Sequence, residues 1–272
     1  LEVASVCKYY GSTTALDDVS LTVRRGEVHA LLGHNGSGKS TLVKIVSGYV
    51  PCDAGSFTIH SATSGEATIG VVHQDLALAA DATVLENCFM GDYPTHPWGF
   101  VNWKAARAEL ESILTGLTDD FGMDDVIGDL APADQTIVAI ARALRGRGRH
   151  GARIGGAGLD LLILDEATAR LRGRDAAKVL DTVRRVASYG GGVLLVTHHM
   201  SEVLSAADRA TVLTNGRVSG RVMVSDTNEE ELVELASGRR LSPAVRPEVA
   251  ATVGDGHARV IVEHLDGETV AG

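Results

Sequence analysis

Residues 33–40 read GHNGSGKS, a stretch that fits the pattern G-x-x-x-x-G-K-[S/T]. An apolar run, EVHALLG over 27–33, leads into it, and apolar residues at helical spacing follow over 42–48. A strand, a glycine-rich turn and a helix in this order predict a phosphate loop, since the glycines let backbone N–H groups turn toward phosphate oxygens. Lys39 is expected to reach the outer phosphates, and the Ser40 hydroxyl to ligate Mg²⁺. A purely structural glycine loop is the alternative.

Composition limits the classes of protein that the chain can belong to. Its 272 residues suit one large domain or two small ones, and 44% of them are hydrophobic. No apolar run approaches the roughly 18 residues of a membrane-spanning helix. The net charge of −10 argues against a nucleic-acid-binding surface. Cys7, Cys52 and Cys88 lack metal-type spacing and cannot all pair, which favours a reducing cytosol. The start, without a Met or a signal-peptide pattern, suggests a trimmed chain.

Short apolar runs and helical patterns alternate along much of the sequence. Runs at 69–72, 159–164 and 193–196 are separated by helical stretches such as 175–188. This alternation predicts parallel strands joined by crossover helices, and therefore an α/β fold. Near the N-terminus, strict alternation over 19–23 predicts a strand with one wet face.

The middle of the chain, about 76–145, lacks strong strand runs. Helical periodicity at 103–115 and 136–144 predicts a helical insertion into the α/β core. Farther on, 211–220 contains Asn215-Gly216 and predicts a β-hairpin. Thr227 with Glu230 predicts a capping box at the next helix.

Three segments suggest irregular structure or a domain boundary. Residues 146–158 are rich in Gly and Arg, which predicts a solvated flexible loop, with an anion- or lipid-binding loop as the alternative. Residues 239–258 resemble a linker. Residues 259–265 repeat the pattern of the opening segment, so 259–272 is expected to begin a second, similar domain.

Polar residues follow several of the predicted strands. Asp165 and Glu166 end the run at 159–164, where they suit Mg²⁺ binding and the polarisation of an attacking water. His198 follows the run at 193–196, and Gln74 follows the run at 69–72. Parallel strands place such residues at one edge of a sheet, with the phosphate loop. Taken singly, each has an ordinary alternative: a solvated acidic turn, a core histidine or a surface glutamine.

Taken together and in this order, these features resemble the ATP-binding domains of ABC transporters over residues 1 to about 238. The resemblance implies a P-loop NTPase (RecA-like) α/β core with an N-terminal antiparallel β region and an inserted helical subdomain. Residues 71–91, 99–114 and 230–239 are similar to the ATPases of ribose/xylose-type carbohydrate importers. Those importers commonly carry two such domains in tandem, which agrees with a repeat that starts near 259.

The resemblance also implies roles for individual residues. Tyr10 would stack on adenine, with packing on the core as its alternative. Asp165 would hold Mg²⁺, and Gln74 would touch Mg²⁺ or water near the contact with the membrane subunit. The catalytic residues would be Gln74, the carboxylate of Glu166, and His198, the switch histidine at the outer phosphate. Ala167 replaces the usual proline of the following loop. The expected ATP contacts in the phosphate loop are Gly33, Asn35, Gly36, Ser37, Gly38, Lys39, Ser40 and Thr41.

Residues 130–134, LAPAD, occupy the place of the family's signature motif, whose common form is Leu-Ser-Gly-Gly-Gln. In the family this motif serves the ATP bound by the opposite domain of a head-to-tail pair. Here Ala131 replaces the serine, Ala133 replaces a glycine, and Asp134 adds an acid, which is the weakest of the three departures. The resemblance therefore implies a degenerate signature and one competent composite site, completed by a second domain.

The resemblance thus implies the ATP- and Mg²⁺-dependent subunit of a monosaccharide importer on the cytoplasmic face of the membrane. Its expected partners are transmembrane permease subunits, a second ATP-binding domain of the same parent chain and, indirectly, a sugar-binding protein, but no nucleic acid. The alternatives are a binding-only regulatory domain of the same fold and an ABC ATPase that acts on ribosomes or DNA.

Overall fold

Two β-sheets and seven α-helices make up the part of the chain that the computed structural model describes, residues 1–61, 67–145 and 159–237. Contacts group Leu1–Arg240 as one unit. The predicted loop at 146–158, the linker at 239–258 and the second-domain start at 259–272 lie outside the described residues. Within the described ranges, no helix combines the length and the apolar character needed to cross a bilayer.

The nine strands of the described residues form two separate sheets. A three-stranded antiparallel sheet has the order β2-β1-β4, and a six-stranded sheet has the order β5-β6-β7-β3-β8-β9, in which β9 is the antiparallel edge strand. The strands are β1 Glu2–Tyr10, β2 Thr13–Thr22, β3 Val28–Gly33, β4 Ala54–Thr58, β5 Ile69–His73, β6 Leu161–Asp165, β7 Gly192–Thr197, β8 Arg209–Thr214 and β9 Arg217–Met223.

Helices cover the larger sheet and fill the insertion. They are α1 Lys39–Val46, α2 Val84–Phe89, α3 Trp103–Leu114, α4 Pro132–Arg145, α5 Arg174–Ser188, α6 Met200–Ala206 and α7 Glu229–Ser237. Between β5 and β6 the described chain forms α2, α3 and α4 but no strand. The predicted α/β core, N-terminal antiparallel sheet and helical insertion are therefore confirmed.

The larger sheet is apolar on both faces because both are covered. Every residue of β3 and β7 is buried, as expected of parallel strands between layers. Successive residues pack into opposite cores: Leu31 joins the cluster that contains α1 and the small sheet, and Leu32 joins the cluster that contains α4 and α5. The continuous apolar runs in the sequence reflect this two-sided burial.

The structure confirms the predicted hairpin turn at 215–216 and corrects the predicted cap of α7. Asn215 and Gly216 have φ of 51° and 76° and form the predicted hairpin turn between β8 and β9. The predicted capping box is wrong by one residue. Asn228, not Thr227, caps α7, because its Oδ1 accepts the Glu231 N–H at 2.9 Å, and Asn is at least as good a cap as Thr.

The order of the larger sheet sets the position of the functional residues. Strands β5, β6, β7 and β3 are adjacent and parallel, so their carboxyl ends lie along one edge. In that register His73 lies beside Asp165, and Asp165 lies beside Val196. Ligands of open α/β sheets bind at this kind of edge.

Candidate nucleotide-binding site

The phosphate loop, residues 33–40, joins the end of β3 to the start of α1. Gly36 and Gly38 have φ of 80° and 108°, a region that disfavours other residues. A Cβ on Gly38 would also lie 2.7 Å from both the Ala15 carbonyl and the Leu16 side chain. The loop is fixed from the hairpin side, where the Gly216 N–H donates to the Ser37 carbonyl at 3.0 Å. The glycines are therefore required by the backbone path.

Lys39 begins α1 with its ammonium group turned into the loop. Its Nζ donates to the carbonyls of Gly33 at 2.7 Å and His34 at 3.0 Å, and only 4% of the residue is exposed. Burial lowers the pKa of Lys39, and the nearby carboxylates of Glu166 and Asp165 oppose that shift. Nζ is 3.8 Å from Glu166 Oε1. The cation thus lies in the same pocket as the two acids.

Asp165 and Glu166 mark the end of β6. Burial raises the pKa of Asp165, Glu166 adds to this, and His73 and Lys39 act in the opposite direction. Glu166 adopts φ of 52°, and its N–H donates to Val196 on β7 at 3.0 Å. A non-glycine residue in this region is uncommon and occurs often at functional sites. This backbone turn brings Glu166 Oε1 to 3.4 Å from His198 Nδ1.

A cavity of about 410 Å³ at this edge brings most of the predicted site together. It is lined by residues of the phosphate loop, the ends of β5 and β6, and the start of β2: Thr13, Thr14, Ala15, Asn35, Gly36, Gly38, Lys39, Ser40, Thr41, Gln74, Asp165 and Glu166. Thr13, Thr14 and Ala15 were not predicted, because nothing in their local sequence distinguishes them. Their signal is the pairing of β1 with β2, which carries them across to the loop.

Four of the residues predicted to bind ATP or to take part in catalysis do not line this cavity. Gly33 and Ser37 are part of the loop but not of the cavity lining, and the Gly33 carbonyl accepts a hydrogen bond from Lys39. His198 contacts the site only by way of Glu166. Tyr10 ends β1 opposite Thr13, with 48% of the residue exposed and Lys8 Nζ 5.6 Å from its ring centre. The adenine contact of Tyr10 stays a prediction.

The donor set suits a magnesium–nucleotide complex better than a free-standing metal site. Ser40, Gln74 and Asp165 offer oxygen atoms to the same cavity, which is the chemistry that Mg²⁺ prefers. Among the described residues no three His, Cys, Asp or Glu side chains form a group that could hold a metal. Mg²⁺ is usually held by one or two carboxylates together with substrate phosphates.

The start of α4 carries the predicted signature segment. The Ala131 carbonyl accepts the Gln135 N–H at 3.0 Å, so Ala131 occupies the cap position, and its side chain has no group to offer there. Ala131 is exposed, whereas Ala133 is 1% exposed. The helix start therefore presents the methyl group of Ala131 at the surface, and the methyl group of Ala133 is packed beneath it.

Asp134 does not present a free negative charge. Its Oδ1 lies 2.5 Å from Lys178 Nζ on α5, and Lys178 also pairs with Asp120 at 2.7 Å. Burial lowers the pKa of Lys178, but its hydrogen bonds to Asp120 and Asp134 outweigh that effect and raise it overall. Asp134 is thus paired with Lys178, and this ion pair connects α4 to α5.

Comparison with known proteins agrees with this geometry. The chain is 36% identical over 250 residues to the ribose import ATP-binding protein RbsA of Chelativorans sp., covering 89% of this chain and 46% of that protein. It is 33% identical over 285 residues to the ribose import ATP-binding protein RbsA 1 of Burkholderia ambifaria, covering 100% of this chain and 53% of that protein. The chain therefore spans about half the length of the curated relatives it matches.

Solved structures show the same fold at lower identity. The ADP conformation of an ATP-binding cassette of an ABC transporter superposes with a TM-score of 0.70 at 24% identity, covering 88% of this chain and 98% of that chain. The family profile described as ABC transporter matches residues 16–169, which include the phosphate loop, Gln74, Asp165 and Glu166. The chain belongs to the ABC transporter family.

Proposed function

We propose that this chain binds and hydrolyses ATP as the nucleotide-binding part of a carbohydrate importer, with a monosaccharide as cargo. The observation that carries the proposal is the meeting of Lys39, Asp165 and Glu166 with the phosphate loop in one cavity. A cation for the phosphates, oxygen ligands for a metal and a second carboxylate are the groups that phosphoryl transfer to water requires. The names of the relatives, which are ribose import proteins, support the carbohydrate.

Each residue of the site has a separate task in this proposal. The loop backbone and Lys39 bind the phosphates, while Ser40, Gln74 and Asp165 hold Mg²⁺, which when bound neutralises charge on the phosphate oxygens. Glu166 orients and polarises the attacking water. His198, 3.4 Å from Glu166, holds that carboxylate in place at the outer phosphate.

We further propose that the site is completed by a second domain. Ala131 and Ala133 leave the signature of this chain without the hydroxyl and the close backbone approach that the motif provides. Losing a hydrogen bond from a hydroxyl to a charged phosphate costs about 1.5–3 kcal/mol. The relatives are about twice as long as this chain, which leaves room for a second ATP-binding domain with an intact signature. One competent site and one degenerate site follow.

The partners are transmembrane permease subunits, and the sugar-binding protein acts only through them. Residues 74–91 form much of the docking surface in this proposal. Beside that segment lies a cavity of about 480 Å³ whose lining includes Tyr49 and Met90. Tyr49 and Met90 are 68% and 59% exposed, and exposed apolar side chains that lie together favour protein contact. In this proposal the chain is a peripheral subunit at the cytoplasmic face of the membrane.

Replacement of the signature serine and glycine favours a second candidate, a domain that binds ATP without hydrolysing it. Hydrolysis of Mg-ATP separates the two functions. The chain is assayed alone and then mixed with the half of a full-length relative that this chain does not cover. Glu166→Gln is the control for contaminating ATPases. We expect little turnover alone and Glu166-dependent turnover on mixing. Tight ATP binding without turnover in either condition would favour the binding-only domain, and equal turnover alone would show that residues 130–134 still function.

A further inference from the structure

The loop that follows Gln74 is irregular. It leaves β5 at His73 and reaches α2 at Val84 without a regular element in between. Ala77 has φ of 48°, and its N–H donates to Asp75 Oδ1 at 3.1 Å. Alanine has no intrinsic preference for this conformation, so the surrounding structure must hold it. Contacts from the surrounding structure therefore help to hold this part of the loop, which directly follows Gln74.

Arg142 supplies such a contact from the body of α4. Its Nη1 donates to the Ala77 carbonyl at 2.8 Å, and its Nη2 donates to the Leu76 carbonyl at 2.5 Å. The guanidinium is half-buried, and burial lowers its pKa from the usual arginine value. Two donors fixed in one plane match two successive carbonyls, a geometry that a lysine cannot reproduce. Arg142 thus clamps the backbone two and three residues after Gln74.

Gln74 lies where this clamp has consequences for the nucleotide. It lines the 410 Å³ cavity with Ser40 and Asp165, and it also lines a neighbouring cavity of about 400 Å³. That second cavity reaches Glu166 on one side and Pro132 and Gln135 at the start of α4 on the other. Pro132, Gln135 and Arg142 all lie on α4, so the helix that carries Arg142 begins in the predicted signature segment.

Arg145, one turn further along α4, provides an internal comparison. Its Nε pairs with Glu109 at 2.9 Å, its Nη1 donates to the Cys88 carbonyl at 2.7 Å, and its guanidinium stacks 3.5 Å from the Phe89 ring centre. These contacts connect α4 to α2 and α3 and none of them involves residues 74–78. Both arginines bridge elements by their guanidinium groups, but Arg142 alone of the two contacts the Gln74 loop.

We propose that Arg142 is a positioning residue for Gln74: by holding the Leu76 and Ala77 carbonyls, it keeps the Gln74 side chain facing the metal ligands and ties that loop to α4. The proposal rests on the role of Gln74 in Mg²⁺ binding given above. Residues that orient a metal ligand from outside the coordination sphere change metal affinity when replaced, by about 10- to 100-fold.

The test measures Mg²⁺ dependence of binding rather than turnover. The Kd of a fluorescent ATP analogue is measured in the Glu166→Gln background, once with Mg²⁺ and once with EDTA. The Kd in EDTA divided by the Kd in Mg²⁺ is called the magnesium gain. We expect Arg142→Gln to reduce this gain about tenfold and to leave the Kd in EDTA unchanged. Arg142→Lys is expected to be intermediate, and Arg145→Gln is expected to lower Tm without changing the gain.

Amide hydrogen exchange of the metal-free, nucleotide-free chain gives an independent readout. Arg142→Gln is expected to accelerate exchange over 75–79, whereas Arg145→Gln is expected to leave that segment unchanged. Should Arg142→Gln not fold, Arg142→Lys decides both measurements. Equal losses of magnesium gain in the Arg142 and Arg145 variants, or no loss in the Arg142 variants, would overturn the proposal.

Gln74→Ala separates this inference from the proposed function. A reduced gain in Gln74→Ala with no further loss in Gln74→Ala/Arg142→Gln is the expected result. If Gln74→Ala reduces the gain and the Arg142 variants do not, only the positioning role fails. If Gln74→Ala leaves the gain unchanged, the metal role of Gln74 fails, and the role of Arg142 fails with it.

Discussion

Glu166 Oε1 lies 3.4 Å from His198 Nδ1, although 31 residues separate the two in the chain. The contact arises because β6 and β7 are adjacent and parallel, so their carboxyl ends meet. The left-handed backbone of Glu166 and its hydrogen bond to Val196 then turn the carboxylate toward the histidine. The same oxygen is 3.8 Å from Lys39 Nζ. One carboxylate thus contacts both the histidine and the phosphate-loop lysine.

Glu166→Gln is expected to separate ATP binding from hydrolysis. The amide keeps the size of the side chain and can still hydrogen-bond to His198, but it cannot accept a proton from water. General-base catalysis contributes about 10²–10⁴-fold, so turnover in the assembled system should fall by at least 100-fold. ATP affinity should stay within a few-fold, because Lys39 and the loop backbone are untouched. Filter binding and phosphate release measure the two quantities. Turnover within tenfold of the unmodified chain would exclude Glu166 as the base.

Tyr10→Ala is expected to weaken ATP binding if the ring stacks on adenine. Loss of one aromatic–base contact corresponds to about tenfold in Kd, and Tyr10→Phe should retain most of the affinity. Tyr9 is the matched control. It is the preceding residue of β1, it is also 48% exposed, and neighbouring residues of a strand point to opposite faces. Equal Kd changes in Tyr9→Ala and Tyr10→Ala would contradict a specific adenine contact.

The residues that the sequence could predict are those whose type and local pattern carry the information. The phosphate loop is contiguous, and its glycines have a local backbone reason. Asp165 ends β6, and Gln74 and His198 directly follow β5 and β7, so parallel pairing alone brings their backbones to one edge. Burial on both faces made β3, β6 and β7 recognisable as apolar runs.

The residues that escaped prediction depend on contacts between distant segments. The hydrogen bonds of Arg142 to the Gln74 loop span 65 and 66 residues, and the Lys178–Asp134 pair spans 44. Neither has a local signature, because arginine and lysine on a helix are usually solvated. The left-handed Glu166 was equally invisible, since no glycine marks it. Side-chain chemistry was thus predictable, but the contacts that orient it were not.

The raised pKa of Asp165 predicts how magnesium binding depends on pH. A protonated carboxyl does not ligate Mg²⁺, and burial makes Asp165 accept a proton at higher pH than an exposed aspartate. Mg²⁺ affinity for the ATP complex should therefore decline on acidification earlier than an unperturbed carboxylate would require. Asp165→Asn should lower Mg²⁺ affinity about tenfold or more and abolish this pH dependence. A flat profile in the unmodified chain would contradict it.

The same shift has a consequence for the stability of the metal-free chain. The folded pKa of Asp165 lies above its unfolded value, so ionisation opposes folding, and this cost is fully present above the folded pKa. Asp165→Asn should therefore increase the free energy of unfolding at neutral pH, and the gain should vanish below the unfolded pKa. Urea unfolding at several pH values measures it. Asp181→Asn, at an exposed aspartate of α5, is the matched control and should show no such gain.

Restoring the signature is expected to give the chain turnover without a second domain. Ala131→Ser supplies the missing hydroxyl, and Ala133→Gly removes the methyl group at the helix start. A hydrogen bond to a charged phosphate worth about 1.5 kcal/mol or more corresponds to at least a tenfold increase in ATP hydrolysis by the double variant alone. Asp134 is left unchanged because Lys178 already pairs with it.

Stability changes cannot account for such an increase. Serine at the cap position of α4 should add about 1 kcal/mol, whereas glycine in the first turn should remove about 1 kcal/mol, so the free energy of unfolding should change little. Hydrolysis is measured across chain concentrations, because two copies must meet head to tail and turnover per chain should rise with concentration. Adding Glu166→Gln should abolish the gain. A double variant that folds and binds ATP but gains no turnover would mean that the hydroxyl and the glycine are not what this helix start lacks.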